Sequence, residues 1–233
     1  MALVAAAVCP HPPLLVPGVG AGASGELDGL RHACDAAVAE LVAAGPDLVV
    51  AVGAAPVLGP APEGAWGTIA GYGVDVPVGT GTGAATLPLS LTIARWLLDR
   101  GEVTSATLLF GVEADAAPER CRAVGEALAG RAARVAVLAM GDASARRSLK
   151  GPGYLDPDAE PFDTEVESAL READTAALLA VDPDRAERLL AAGRASWQVL
   201  AGAAGDAKMS GSVTWAGSPY GVTYLVATWR PAT

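Results

Sequence analysis

The stretch LVVAV at residues 48–52 is apolar at every position and has the length of one strand. A run of this kind is typical of a central strand in a sheet that is covered on both faces. The tripeptide GPD at residues 45–47 would end a helix, and residues 24–44 carry apolar side chains at helical spacing. Another apolar run, at residues 3–8, precedes that helix. The N-terminal part of the chain therefore predicts a strand, a helix and a second strand, as in an α/β fold.

The alternation of strands and helices continues through the rest of the chain. Residues 53–86 are rich in Gly and Pro and predict a long irregular segment, with short strands near residues 67–72. A second polar loop is expected over residues 144–163. The pattern predicts helices over 87–100, 117–129, 164–173, 175–180, 183–192 and 195–205, and strands over 106–111, 135–140, 208–216 and 221–229. We expect an α/β protein that forms one domain over residues 1–233.

Composition narrows the classes of function. Hydrophobic residues make up 52% of the chain, but no apolar run reaches the ~18 residues of a membrane-spanning helix. The run at residues 3–8 lacks a basic flank and predicts a buried strand and not a signal peptide, so we expect a cytoplasmic protein. A formal charge of −10 disfavours nucleic acid as a partner. Cys9, Cys34 and Cys121 are too few and too scattered for a disulfide framework or a zinc knuckle, and we expect them to be reduced.

One of the two histidines lies in the proline-rich stretch CPHPPLLVP at residues 9–17, directly after the first predicted strand. The prolines restrict the backbone on both sides of His11 and hold its imidazole on a stiff loop. Stiff loops at strand ends often carry function, although a lone histidine also commonly packs against its own strand. The other histidine, His32, lies just off the apolar stripe of the first helix and predicts a surface residue.

The second unusual element is a polar loop with the sequence GDASARR at residues 141–147, KGPGYLDP at 150–157 and EPFD at 160–163. It starts where a predicted strand ends, as the His11 loop does. Ligands of open α/β sheets bind at the carboxyl ends of the strands, so the two loops are expected to share a cleft. A solvated loop anchored by its prolines is the alternative. The segment GTGTG at 79–83 fits no phosphate-binding motif and predicts a plain loop.

Three motifs, in this order along the chain, resemble one known family. They are CPHPP at residues 9–13, then GDAS at 141–144 with YLDP at 154–157 and FD at 162–163, then SPYGVTYLVA at 218–227. Together they are similar to the LigB-type class III extradiol ring-cleavage dioxygenase family, whose wider superfamily includes the Memo-like proteins. The resemblance extends over residues 3–229. It implies a three-layer α/β/α domain around a mixed, mostly parallel sheet.

Active members of that family hold non-haem Fe(II) with two histidines and one glutamate. The resemblance assigns the first histidine ligand to His11. Where the family has its second histidine ligand, this chain has Ala54, and where the family has its acid/base histidine it has Ala145. The carboxylate ligand is replaced by Gly217 and Ser218. The resemblance therefore implies a degraded metal site, and no cofactor is predicted.

The first hypothesis is a non-catalytic or reassigned family member. Such a pseudoenzyme would use the inherited cleft to bind a small molecule or a protein partner. No catalytic residue is assigned, although His11 and Asp142 form a candidate acid/base pair. The predicted ligand-binding residues are His11, Asp142, Ser144, Lys150, Tyr154 and Tyr220.

Two alternatives stay open. One is a metal-dependent enzyme, either an extradiol-type aromatic ring-cleaving dioxygenase or a hydrolase. In it, one or more of four residues would join His11 around Fe(II) or another divalent ion: Asp142, Asp47, Asp206 and Cys9. The other alternative is a structural or assembly role, which an exposed C-terminal strand would permit and which leaves an oligomer open.

Overall fold

The computed structural model describes residues 3–20 and 24–232. Its strands are β1 (Leu3–Cys9), β2 (Leu48–Ala54), β3 (Gly59–Pro60), β4 (Gly67–Thr68), β5 (Pro77–Val78), β6 (Ala106–Val112), β7 (Val135–Met140), β8 (Met209–Gly217) and β9 (Tyr224–Pro231). Its α-helices are α1 (Asp28–Ala43), α2 (Leu89–Arg100), α3 (Pro118–Ala129), α4 (Ala159–Glu172), α5 (Thr175–Leu179), α6 (Pro183–Arg188) and α7 (Arg194–Ala204). Short 3-10 turns cover Pro13–Leu15, Ser24–Leu27, Ala70–Tyr72 and Pro219–Gly221. In the described part of the chain, no helix is both long and apolar enough to span a membrane.

The central sheet has seven strands in the order β3-β6-β2-β7-β1-β9-β8. Strands β6, β2, β7 and β1 are parallel to one another. On the far side, β9 is antiparallel to β1, and β8 is antiparallel to β9. Strands β4 and β5 pair separately, within the segment predicted to be irregular. The predicted α/β class with a mixed, mostly parallel sheet is confirmed.

The LVVAV stretch lies in the middle of this sheet, as its composition predicts. Strand β2 pairs with β6 on one side and with β7 on the other. Val49 and Ala51 pack into the core on one face, and Val50 and Val52 pack into the core on the opposite face. Because successive side chains of a strand point to opposite faces, a strand covered on both faces needs apolar residues at every position.

Helices form a layer on each face of the sheet. On the face of Val49, α1 packs against β1 and β9, and α2 packs against β2. On the other face, α7 crosses β7, β1 and β2, with α3 beside it and α4 against β8. The buried indole of Trp197 lies in this second core. Two helical layers around one sheet make up the three-layer α/β/α architecture that the resemblance implies.

The order of the strands opens a crevice at the carboxyl edge of the sheet. Strand β7 lies between β1 and β2, so the first strand–helix–strand unit does not join neighbouring strands. After β1 the chain enters α1 on one face, whereas after β7 it proceeds to α4 and α7 on the other face. The loops that follow β1 and β7 therefore diverge, and ligands of open α/β sheets bind at such points.

One predicted boundary is wrong in a way that matters for the site. The sequence places residues 160–163 in the loop, but α4 begins at Ala159 and contains all of them. The prediction fails because Pro161 lies in the first turn of the helix, where proline is well tolerated and its missing N–H costs no hydrogen bond. Phe162 and Asp163 consequently lie on the buried side of α4.

Candidate functional site

His11 lies at the carboxyl end of β1, beside the end of β7. Its backbone N–H donates a hydrogen bond to Asp142 Oδ1 at 2.8 Å. The Gly141 N–H donates to the Cys9 carbonyl oxygen at 2.9 Å, which continues the pairing of the two strands into their loops. The 3-10 turn Pro13–Leu15 follows directly. The structure thus brings together the two loops that the sequence predicts to share a cleft.

The His11 ring and the Asp142 carboxylate are close but not hydrogen-bonded. His11 Nδ1 lies 3.8 Å from Asp142 Oδ1, which is longer than a hydrogen bond. The residue is 8% exposed, and Nδ1 is buried without a hydrogen-bond partner among the described residues. Burying a polar atom without a partner is unfavourable. The described part of the protein therefore leaves the hydrogen-bonding capacity of this nitrogen unused.

Tyr224 is a third polar residue at this point, and the sequence prediction omits it. Tyr224 is the first residue of β9, the strand that pairs with β1 through Val8 and Ala227, and it lies close enough to Asp142 to feel the charge of that carboxylate. Tyr224 is 3% exposed, and its pKa is raised by burial and further by the charge of Asp142. The phenol therefore stays protonated and can donate a hydrogen bond. The signal was available, because Tyr224 is the second tyrosine of the SPYGVTYLVA motif.

Two cysteines, Cys9 and Cys34, lie in the core under α1. Both are free and are 0% exposed. The pKa of the Cys34 thiol is raised well above its ordinary value, first by a hydrogen bond with Cys9 and then by burial. A buried, protonated thiol is a poor nucleophile and a poor metal ligand. Cys9 packs in the core with no exposed surface, so the proposal that it joins His11 in a metal site is wrong.

We expect the thiols of the folded protein to be unreactive. The third cysteine, Cys121, is also buried, and burial raises its pKa. A colorimetric thiol reagent should therefore detect no fast-reacting thiol in the native protein and all three cysteines after denaturation. A native thiol that reacts as fast as free cysteine would contradict this placement.

Ser144 is not at the rim of a cleft, and this prediction is wrong. It is 0% exposed, and its N–H and hydroxyl donate to the two carboxylate oxygens of Asp163 at 2.8 and 2.7 Å. The Thr223 hydroxyl donates to Asp163 Oδ2 at 2.5 Å, and Arg147 Nη1 lies 3.5 Å from the same oxygen. The network ties the loop after β7 to α4 and to the start of β9. Ser144 holds this loop in place and is not available to a ligand.

The other predicted ligand-binding residues lie at the surface. Lys150 is exposed and Tyr154 is 72% exposed. Within residues 3–20 and 24–232, neither side chain is joined to His11 by a hydrogen bond or an ion pair. Tyr220 lies in the turn before β9, and its hydroxyl donates to Glu26 Oε2 at 2.5 Å, which raises the Tyr220 pKa. The Tyr220 hydroxyl thus ties the turn before β9 to the segment before α1. Ligand-binding roles for Lys150 and Tyr154 stay predictions.

The residues present do not fit an Fe(II) site. Ala54 ends β2, and Ala145 is buried in the loop after β7. Gly217 ends β8, where a Cβ would lie 2.7 Å from Trp215 Cη2, so an indole fills the direction in which a carboxylate side chain would project. In the part of the chain that the structure describes, no three His, Cys, Asp or Glu side chains are grouped to hold a metal ion.

Two of the three carboxylates that could replace the missing iron ligands lie at the edge of the sheet opposite His11. Asp47 directly precedes β2, and its Oδ2 accepts a hydrogen bond from the Arg134 N–H just before β7. Asp206 precedes β8, which runs parallel to β1. Both therefore lie at the amino ends of the strands, opposite His11, and their proposed role in a metal site is wrong. Only Asp142 lies beside His11.

An apolar cavity of about 340 Å³ lies at the same edge, at the ends of β2 and β6. Its lining begins at Ala55, directly after the last residue of β2, and includes Leu58, Leu87 and Gly111. Only β7 separates β2 from β1, so the end of β2 lies about 10 Å from the end of β1. The cavity extends from there toward β3 and shares no lining residue with the polar cluster of His11, Asp142 and Tyr224, which lies at the same carboxyl edge.

Comparisons with known proteins bear on the fold alone. No protein-family model and no curated protein matches the sequence. Among solved structures, the chain is similar to the uncharacterized protein JW3007 from Escherichia coli K12, with a TM-score of 0.51 and 13% sequence identity. The similarity covers 97% of this chain and 99% of that chain. At this identity, the likeness shows a shared fold along almost the whole chain and assigns no activity.

Proposed function

We propose that this chain is a metal-free relative of the LigB-type extradiol dioxygenases that binds a small molecule at the carboxyl edge of its sheet. The observation that carries the proposal is the isolation of His11. It matches the family's first iron ligand, yet its imidazole lies near the carboxylate of Asp142, and Ala54 stands where the family has its second imidazole. Iron sites of this type need two histidines and a carboxylate. The residues that are left can form hydrogen bonds.

The packing of Trp215 supports loss of the iron site. Its indole lies between the end of β8 and the start of α1, since a Cβ on Gly29 would lie 3.5 Å from Trp215 Nε1. The ring packs against the core under α1. A glutamate at Gly217 would have to displace this ring before it could reach the His11 cluster. Restoring one ligand would therefore not restore the site.

The chemistry of this edge favours a small ligand with a hydroxyl group and an apolar body. The Asp142 carboxylate can accept a hydrogen bond from a hydroxyl, and the Tyr224 phenol can donate one. The neighbouring cavity, which includes Ala55 and Leu87, is lined by uncharged residues. Phenols and aromatic diols combine both features. They are also the substrate class that the resemblance implies.

The first test measures iron and turnover. Protein purified with and without oxygen should lack stoichiometric iron. Addition of Fe(II) and a panel of catechols in air should give no yellow ring-opened product. Stoichiometric iron together with such a product would overturn the proposal in favour of the enzyme alternative, in which His11 and Asp142 help to hold a divalent ion.

The second test measures binding at His11. The chain has two histidines, and His32 is exposed on α1. A bound phenol should shift the imidazole NMR signals of His11 and leave those of His32 unchanged. His11→Gln should weaken binding at least ~10-fold, which corresponds to about 1.4 kcal/mol. His32→Gln is the matched control, and an equal loss in both variants would show that the ligand does not bind at His11.

A further inference from the structure

The outermost strands of the central sheet, β3 and β8, are protected to different extents. Strand β3 has only two residues, one of which is Pro60, and Pro56 and Pro62 lie on either side of it. Since proline has no N–H, β3 offers few donors to a further strand. Strand β8 has nine residues and contains neither a proline nor a charged side chain. Natural proteins usually protect a long edge strand with such residues, so β8 is the edge that is open to another strand.

The outer side of β8 has unpaired backbone groups. This strand pairs with β9 on one side only. Among the described residues, no backbone hydrogen bond outside that pairing involves residues 209–213. The pairing with β9 is regular over this stretch, and its register shifts only between Val213 and Trp215. Because β9 already holds residues 209–213 extended, a second strand could pair with their outer N–H and C=O groups without further ordering of β8.

Residues 209–213 present different side chains on the two faces of the sheet. Met209 and Val213 pack against the core on the face that α4 covers. Gly211 is on the same face, where a Cβ would lie 2.5 Å from a backbone oxygen of α4. Ser210 and Ser212 are exposed and point to the opposite face, since side chains alternate along a strand. The stretch therefore has an apolar face and a hydroxyl-bearing face.

The sequence of this stretch, MSGSV, is nearly symmetrical about Gly211. An antiparallel copy centred on Gly211 would place Met209 opposite Val213 and Ser210 opposite Ser212. Directly opposed residues lie on the same face of a sheet, so apolar side chains would meet on one face and hydroxyl groups on the other. The net charge of −10 disfavours contact between two copies elsewhere, whereas β8 itself is uncharged. The edge therefore matches its own sequence, and a second copy of this chain fits it.

We propose that two copies of this chain form a dimer in which their β8 strands pair antiparallel about a two-fold axis at Gly211. The pairing joins the two seven-stranded sheets into one continuous sheet. The same surface of each copy forms the contact, as a closed two-fold dimer requires. The proposal does not depend on the function proposed for the His11 cluster. Strand β8 runs parallel to β1, so residues 209–213 begin at the edge of the sheet opposite His11.

Sedimentation velocity tests for the dimer. At ~50 μM protein we expect a species with twice the mass of the 23.2 kDa chain. Ser212→Lys places a charge on the edge, as natural edge strands do to avoid pairing, and should weaken the dimer at least ~10-fold. Thr104→Lys is the matched control, because Thr104 is exposed in the loop before β6 and the net charge changes equally. A monomeric original chain at ~50 μM would overturn the proposal, as would equal dimer strength in the two variants.

Disulfide cross-linking tests the register. Opposed residues of an antiparallel pair have Cα atoms ~4.5–5.5 Å apart, which a disulfide can bridge, whereas diagonal neighbours are ~7–8 Å apart. A mixture of Ser210→Cys and Ser212→Cys proteins should therefore form an intermolecular disulfide under mild oxidation, at least ~10-fold more than either protein alone. Ser210→Cys mixed with Thr104→Cys is the control, and the three native cysteines are buried. If the first mixture cross-linked no more than the single variants, the pairing about Gly211 would be excluded.

Discussion

Replacing Gly125 with alanine should lower the free energy of unfolding by about 3 kcal/mol. Gly125 lies where α3 contacts α7, and a Cβ at this position would lie 2.0 Å from the Val199 carbonyl oxygen and 2.5 Å from the Ala203 nitrogen. These are backbone atoms of α7, which cannot rotate away as a side chain can. Intrinsic helix propensity acts in the opposite direction and favours alanine by about 1 kcal/mol. The expected loss of unfolding free energy therefore comes from the steric clash between the new Cβ and the backbone of α7.

Gly71→Ala is the control for this prediction. A Cβ at Gly71 would meet no atom within 4 Å, so the free energy of unfolding should change by less than about 0.5 kcal/mol. Urea denaturation followed by tryptophan fluorescence gives both values, and the melting temperature of Gly125→Ala should fall by about 10 °C. If Gly125→Ala were as stable as Gly71→Ala, α3 and α7 could not approach as closely as they do here.

Replacing Asp163 with alanine should also lower the free energy of unfolding by about 3 kcal/mol. Asp163 is 4% exposed and accepts hydrogen bonds from the Ser144 N–H, the Ser144 hydroxyl and the Thr223 hydroxyl. Alanine would leave these donors buried without a partner, and Arg147 would lose its contact with the carboxylate. Asp163→Asn should lose less, because its amide oxygen can still accept from Ser144.

The pH dependence of stability separates the charge of Asp163 from its hydrogen bonds. Burial raises the pKa of Asp163 above its ordinary value of 3.8, although Ser144, Thr223 and Arg147 oppose the shift. The folded state therefore binds the proton more readily than the unfolded state. Stability from this group is greatest below pH 3.8 and falls as the pH rises through the folded pKa. Asp163→Asn should lack this fall.

For Asp158 we expect the opposite pH dependence of stability. Hydrogen bonds from Arg185 and Arg188 lower the pKa of this carboxyl to about 2. Its contribution is present above pH 3.8 and is lost as the pH falls toward 2. Asp158→Asn is thus a control that removes a contribution to stability with the opposite pH dependence. Denaturation curves between pH 2 and pH 7 of the original chain and both variants measure the two contributions. Identical pH profiles for the chain and Asp163→Asn would contradict the raised pKa.

The fold could be predicted from the sequence where burial is local. Residues 48–52 indicate a central strand, because both faces of this strand are covered and every position is apolar. The apolar residues of α1 recur at helical spacing within one segment of sequence. The order of the strands could not be predicted in this way. The neighbours of β1 come from residues 135–140 and 224–231, and nothing in the first strand itself specifies them.

In the candidate site, too, local features could be predicted from the sequence and contacts between distant segments could not. His11 and Asp142 could be predicted because both follow strands, and strand ends of a parallel sheet meet at one edge. The burial of Ser144 could not be predicted, because its partner Asp163 lies in α4 and not in the loop. The sequence prediction omits Tyr224, because an aromatic residue at the start of a strand usually signals core packing. Only the fold brings it close enough to Asp142 for the charge of that carboxylate to raise its pKa.

Strand β1 precedes both of its neighbours in the chain. Its N–H and C=O groups stay unpaired until residues 135–140 have been made, and one side stays open until residues 224–231 follow. Closing such long loops costs conformational entropy and slows folding. The pairing of β1 is therefore completed only after residues 224–231 have been made. The cluster of His11, Asp142 and Tyr224 exists only from that moment, so a chain released early from the ribosome would carry the histidine loop without its site.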